Sequence, residues 1–198
     1  MSAKEQYRDL CKEENSIPLF CQDWWMDAVC LDEWDVLLVE EKGQIVAALP
    51  YHLRKKFGFR CIVQPQLTQY NGIWIRKKQV TADYERISYE KRVFNKLIKQ
   101  LEQLGLSFYQ QCFHMSITNW LPFYWHGYKE TTRYTYAINS IGNPEKVFSR
   151  FSPAKQRQVR KCEDKLHLSL DMRPDEFYSH HKQSLQERGE VISYSYEL

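Results

Sequence analysis

Glycine is scarce and scattered in this 198-residue chain: there are seven, and no two lie closer than 14 residues. No G-x-S-x-G elbow, no H-E-x-x-H and no Rossmann fingerprint occurs, which sets those enzyme classes aside. Long apolar runs are missing as well. None approaches the ~20 residues needed to cross a bilayer, and the first fifteen residues, MSAKEQYRDLCKEEN, are too polar for a secretory signal. The expectation is a soluble, cytoplasmic protein without a membrane span. The six cysteines, Cys11, Cys21, Cys30, Cys61, Cys112 and Cys162, form no C-x-x-C and no Cys/His pair. That excludes a zinc finger and a disulfide framework and leaves free thiols in a reducing compartment. Six histidines show no metal spacing, so no metal is expected. A formal net charge of +3 is too small by itself to call for nucleic acid.

What the chain does have is aromatic side chains, 15% of the total, with 13 tyrosines among them. They suit a core, and equally grooves and interfaces. Helical composition runs from residue 3 to about 14 and stops at Ser16-Ile17-Pro18. Phe20, Trp24, Ala28 and Leu31 predict a second helix from Leu19 to Leu31. The period then changes. Trp34–Glu40 and Ile45–Leu53, joined through Gly43, predict a β-hairpin, with Pro50 marking a bulge or an edge. Cys61–Val63 and Ile73–Ile75 read as short strands around a polar loop, Gln64–Gly72. The longest helix is expected from Thr81 to Leu104, on the stripe Tyr89, Val93, Phe94, Leu97, Ile98, Leu101 and Leu104. A strand over Ser107–His114, an aromatic turn or helix over Trp120–Tyr128 and a strand over Thr131–Asn139 follow. Composition shifts near 127–143, giving two modules, 1–127 and 128–198. Asn143 and Pro144 open a helix as N-cap and first helical residue. Ser152-Pro153 opens another that runs to about Lys165. His167–Met172 is expected as a strand and Pro174–Arg188 as a helix. The fold class is thus mixed α/β.

Several phrases carry a family likeness. Ile17-Pro18-Leu19-Phe20-Cys21-Gln22-Asp23-Trp24-Trp25, Trp34–Val39, Ala47-Ala48-Leu49-Pro50-Tyr51 and Gln66–Ile73 resemble the opening of FemAB-like proteins. Tyr134–Ile138 and Phe151–Cys162 resemble the start of that family's second lobe. The resemblance implies a GNAT-like arrangement: a mainly antiparallel sheet flanked by helices, followed by the beginning of a second such lobe. It further implies transfer of an acyl or aminoacyl group to an amine, with acyl-CoA or a charged tRNA as donor. A small molecule or cell-wall precursor would be the acceptor, and nucleic acid a partner only if the donor is a tRNA. One element departs from the pattern. The glycine-rich turn [RQ]-x-x-G-x-[GA], whose backbone N–H groups hold the pyrophosphate of CoA, is missing. The resemblance then places the cofactor cradle beyond Leu198 and makes this chain alone no competent acetyltransferase. A non-catalytic binding module that positions a substrate or partner is the alternative. An incomplete second lobe would leave a sheet edge open to self-association.

Two groups of residues are candidates for substrate contact. On the helix after Pro153, Arg157, Arg160, Lys161 and Lys165 fall along one stripe, with Lys155 nearby and only Glu163 and Asp164 opposing them. Such a stripe either holds phosphates or is a solvated face; the resemblance favours Arg157 and Arg160. Thr68, Tyr70 and Asn71, beside Gln69, share one loop on a rigid sheet, where substrate contacts gather. Arg54, Lys55, Lys56 and Arg60, interleaved with Phe57 and Phe59, could track a polyanion or form a solvated hairpin end. No residue is identified as a catalytic base.

Overall fold

The computed structural model describes residues 1–79, 82–138, 141–163 and 165–198, without the side chain of Lys56. Thr81, Asn139 and Asp164, named above, lie outside the described residues. The chain divides into two compact units, Met1–Glu130 with Leu198, and Thr131–Glu197.

The first unit opens with α1 (Ala3–Glu13), started by a capping box in which Ser2 and Glu5 satisfy each other's backbone N–H groups. The helix expected from Leu19 to Leu31 is in fact two pieces. A single 3₁₀ turn, Leu19–Cys21, is followed by α2 (Asp23–Cys30). Gln22 breaks the run with an extended backbone, while its side chain donates to the Ile17 carbonyl at 2.9 Å.

The hairpin forms as its pattern dictates. Strands β1 (Trp34–Glu41) and β2 (Gln44–Lys56) pair antiparallel around Lys42-Gly43, both at positive φ. The irregularity in this ladder falls opposite Val39/Glu40, where Val46 is the extra residue, and not at Pro50. A second two-residue turn, Phe57-Gly58, leads into β3 (Phe59–Val63). After an excursion through residues 64–72, β4 (Trp74–Ile75) returns to the same edge of β2, opposite Ala47 and Ala48. Strands β3 and β4 are therefore one line interrupted by the ten residues 64–73. The helix α3 (Asp83–Gln103) carries the chain over the sheet, and β5 (Phe108–Tyr109) joins β3 in parallel. Beyond Tyr109 the strand expected up to His114 leaves the ladder, since its groups pair with the 64–72 loop instead. The short helix α4 (Leu121–Trp125) completes the unit.

The result is a mixed, mainly antiparallel sheet, β1-β2-β3-β5 with β4 beside β2, flanked by helices. Alternation along the strands sends two different sets of side chains to the two faces. Leu37, Val39, Ala47, Leu49, Tyr51, Ile62 and Ile73 meet α3 and Phe123 on one side. Trp34, Val36, Ala48 and Trp74 meet α1 and α2 on the other.

The second unit contains α5 (Pro144–Ser149), α6 (Pro153–Glu163) and α7 (Pro174–Gln186), and none of the three has a buried residue. Asn143 caps α5 as the sequence predicts, accepting from the Lys146 N–H at 2.9 Å. The strands expected over Thr131–Asn139 and His167–Met172 do not form among the described residues. Their alternating apolar side chains, Tyr134, Tyr136 and Ile138 in one and Leu168, Leu170 and Met172 in the other, are exposed. Alternation specifies a strand only where a neighbour pairs with it.

Candidate functional site

The excursion 64–72 is where polar side chains converge on the sheet. Thr68 and Asn71 are buried, and Asn71 is 0% exposed. Asn71 Nδ2 donates to the Phe20 carbonyl at 3.1 Å, and its Oδ1 accepts from Gln111 Nε2 at 2.7 Å. Its own N–H donates to the Cys112 carbonyl at 2.7 Å. Thr68 Oγ1 accepts from Trp25 Nε1 at 3.0 Å and donates to the Gln66 carbonyl at 2.8 Å. Both side chains thus spend their hydrogen-bonding capacity on holding the loop. Gly72 follows with φ of +141°, and a Cβ there would stand 2.4 Å from the Phe113 ring, so only glycine fits.

Gln111 is the residue the loop closes on. Its Nε2 also donates to the Pro50 carbonyl at 2.9 Å, and its Oε1 accepts from the Tyr109 hydroxyl at 3.0 Å. Burial pushes the Tyr109 phenol well above its ordinary range, so it remains a donor. Pro50 lies in β2 between the pairings to β4 at Ala48 and to β3 at His52. The N and C=O of one antiparallel strand residue face the same edge. The nitrogen of Pro50 therefore faces this interruption and carries no hydrogen, which explains how a proline fits in a central strand. Where β3 and β5 separate, Gln64 Oε1 accepts the Cys112 N–H at 2.9 Å. Both openings in the sheet are filled by side-chain amides.

Tyr70 has a different setting. Its ring lies edge-to-face with Phe20 and with His114, each at 4.7 Å between centroids. Phe20 in turn meets Trp25 at 4.7 Å, and Trp25 meets Trp24 at 5.7 Å. The five rings form a continuous aromatic patch that ends on the exposed Trp24. Burial pushes the Tyr70 phenol up and the His114 imidazole down. His114 Nδ1 accepts the Ser116 N–H at 3.2 Å, which leaves the proton of the neutral ring on Nε2. The patch therefore offers donors and apolar faces, and no free basic nitrogen.

The remaining candidates stand on α6 in the second unit. Arg157, Arg160 and Lys161 are all exposed. Arg160 stacks over Phe148 at 5.6 Å. Lys165 lies past the end of the helix, in a turn where its N–H donates to the Cys162 carbonyl, so the expected four-residue stripe is three residues long. The structure thus brings Thr68, Tyr70 and Asn71 together, and separately Arg157, Arg160 and Lys161.

The sequence reading missed Gln111, Phe20, Trp25 and His114. Gln111 stood inside an expected strand, and nothing local marks it as the partner of Pro50 and Asn71. Among the described residues, no group of three His, Cys, Asp or Glu is placed to hold a metal ion. No helix among them is long and apolar enough to cross a membrane.

No family model matches this chain, and no curated protein matches it. A solved structure that it does match is a ribosomal-protein-alanine N-acetyltransferase from Brucella melitensis biovar Abortus 2308. The identity is 13% and the TM-score 0.37, with 69% of this chain and 91% of that chain covered.

Proposed function

We propose that the first unit is a GNAT-like lobe that binds and positions a substrate for acyl or aminoacyl transfer to an amine, and does not itself hold the acyl donor. The FemAB-like phrases of the sequence motivate the acyl-transfer context. One structural observation carries the division of labour. Transfer of this kind uses a strand N–H to polarise the acyl carbonyl, and the strand position facing the interruption of this sheet is Pro50, which has none. Its carbonyl is already capped by Gln111. The second opening is no freer, since Gln64 takes the Cys112 N–H. An acyl-CoA does not fit these residues: no glycine-rich turn is available to its pyrophosphate, and the backbone donors at the openings are absent or taken.

What remains for the lobe is recognition. Tyr70, with the rings of Trp25, Phe20 and His114, is the ligand face, and Thr68 and Asn71 set its geometry from below. Arg157, Arg160 and Lys161 supply a separate phosphate-binding face for a nucleotide-linked acceptor or a charged tRNA. The second unit is read as the start of a second lobe, whose alternating apolar segments present what a sheet face requires before a neighbour strand pairs with it.

Titration calorimetry with acetyl-CoA and, separately, with a nucleotide-linked cell-wall precursor tests this division. Binding of the precursor with no heat from acetyl-CoA is expected, and Tyr70→Ala weakens it on the order of tenfold, the loss of one aromatic contact. Micromolar binding of acetyl-CoA by the chain would sink the reading.

A further inference from the structure

The β2–β3 hairpin tip is not used by the reading above, and it combines three features that do not arise together by default. Phe57, at the apex, is 88% exposed, and Phe59 beside it is exposed as well. Phe57 also sits at φ of +50°, a conformation that Gly and Asn adopt readily and an aromatic residue adopts at a cost. An exposed position would tolerate Asn, yet the strained site holds a large apolar ring.

The second feature is charge. From Lys42 to Ala82 the chain has eight cations and not one Asp or Glu. Arg54, Lys55 and Arg60 belong to this tip, with Arg54 and Lys55 exposed and Arg60 half-buried. Register places Lys55 opposite Arg60 and Arg54 opposite Cys61.

The third is depth. At about 3.4 Å per residue, the Lys55/Arg60 pair lies roughly 7 Å behind the apex and Arg54 roughly 10 Å behind it. Those offsets match the ~5–10 Å by which apolar side chains enter the headgroup–acyl boundary while cations remain among the headgroups. Phe108, opposite Cys61 and exposed, extends the apolar surface on the Phe59 face of the sheet.

From this arrangement we infer that the tip docks on an anionic lipid surface, Phe57 entering the interface and Arg54, Lys55 and Arg60 pairing with acidic headgroups. A nucleic acid is the less favoured occupant, because stacking on bases calls for rings that line a groove, and here the most exposed ring projects from the apex of a two-residue turn.

Co-sedimentation of the whole chain with phosphatidylcholine vesicles, with and without about 30% phosphatidylserine, tests the inference at about 0.1 M and about 0.5 M salt. Binding is expected only with phosphatidylserine and falls several-fold at the higher salt. Phe57→Asn separates docking from folding. Asn suits the positive φ, so the Tm holds or rises, while the bound fraction drops on the order of tenfold as the apolar anchor is lost. Lys55→Glu lowers binding and leaves the Tm unchanged. Absence of vesicle binding, equal binding to neutral vesicles, or wild-type binding by Phe57→Asn overturns the inference. So does salt-sensitive binding of a single-stranded RNA oligomer in place of vesicles.

Discussion

Helices α3 and α7 both place apolar side chains at helical spacing, but the two meet different surroundings. In α3, Tyr89, Val93, Phe94, Leu97, Ile98 and Leu101 are all buried against the sheet. In α7, Phe177 is 57% exposed, and Tyr178, His181 and Leu185 are only half-covered. The contacts of α7 are local: the Tyr178 hydroxyl donates to the Tyr194 carbonyl, and His181 Nδ1 lies 2.8 Å from the Tyr194 hydroxyl. The same difference separates β1 and β2 from the segments around Tyr136 and Leu168. An amphipathic pattern prepares a face, and burial then depends on an opposing layer. In the first unit the sheet is that layer; the described residues of the second unit contain no strand.

The sharpest way to break the comparison is a pair of truncations. Phe94→Ala removes a ring that is 1% exposed and is expected to cost about 3–5 kcal/mol. Phe177→Ala is expected to cost no more than about 0.5 kcal/mol. Urea unfolding of the two variants, followed by far-ultraviolet circular dichroism because all six tryptophans lie in the first unit, measures both. Equal losses would show that α7 is packed as tightly as α3.

A smaller effect belongs to the loop. Asn71→Ala leaves one N–H of Gln111 without its acceptor, the other keeping the Pro50 carbonyl, and the Phe20 carbonyl without a donor, both part-buried, at a cost of about 1–3 kcal/mol. The same denaturation assay reads it, and a loss below about 0.5 kcal/mol would mean that water replaces the amide.

A smaller change than that of the loop is expected at the surface of the first unit. Glu41 accepts from Arg92 and Lys96 at 2.9 and 2.7 Å, and these partners, Arg92 foremost, hold its carboxyl at about 2 against an ordinary 4.5. A depressed carboxyl contributes stability that is complete above the unfolded value and is lost as pH falls towards the folded one. Glu41→Gln should therefore cost about 1 kcal/mol or less at pH 7, because both cations are half-exposed. The gap to wild type should narrow between pH 4.5 and about 2. A gap that widens on acidification would contradict the pairing.

Much of the first unit was legible before any coordinates. The Lys42-Gly43 turn between two apolar runs specified the hairpin, and the α3 stripe named its six buried residues together with the half-buried Leu104; in the second unit Asn143 announced its cap. These signals are local, each contained within a few turns or a few strand residues. What escaped was non-local. Gln111 bonds Pro50 and Asn71 across 61 and 40 residues, and the patch joining Phe20 to Tyr70 spans 50 positions. Of the bulge or edge expected at Pro50, the bulge falls elsewhere, while the nitrogen of Pro50 does face a local edge, the interruption between β3 and β4. The expected strands at 131–139 and 167–172 failed for the converse reason: the alternation is present, and the partner on which pairing depends is not.

The interrupted line of β3 and β4 has a consequence for the order in which the chain can fold. The hairpin closes over a two-residue turn, so its pairing can begin with the smallest loss of chain entropy. The 64–72 excursion cannot set so early. Its locks come from Phe20 and Trp25 on one side and from Gln111 and Cys112 on the other, and the latter arrive only after α3 has crossed the sheet. Such a segment is expected to form its native contacts after the rate-limiting barrier, so that Asn71→Ala should speed unfolding more than it slows refolding, as stopped-flow kinetics would show. The aromatic face built on this loop is thus expected to be the last part of the sheet to be completed and the first to be released.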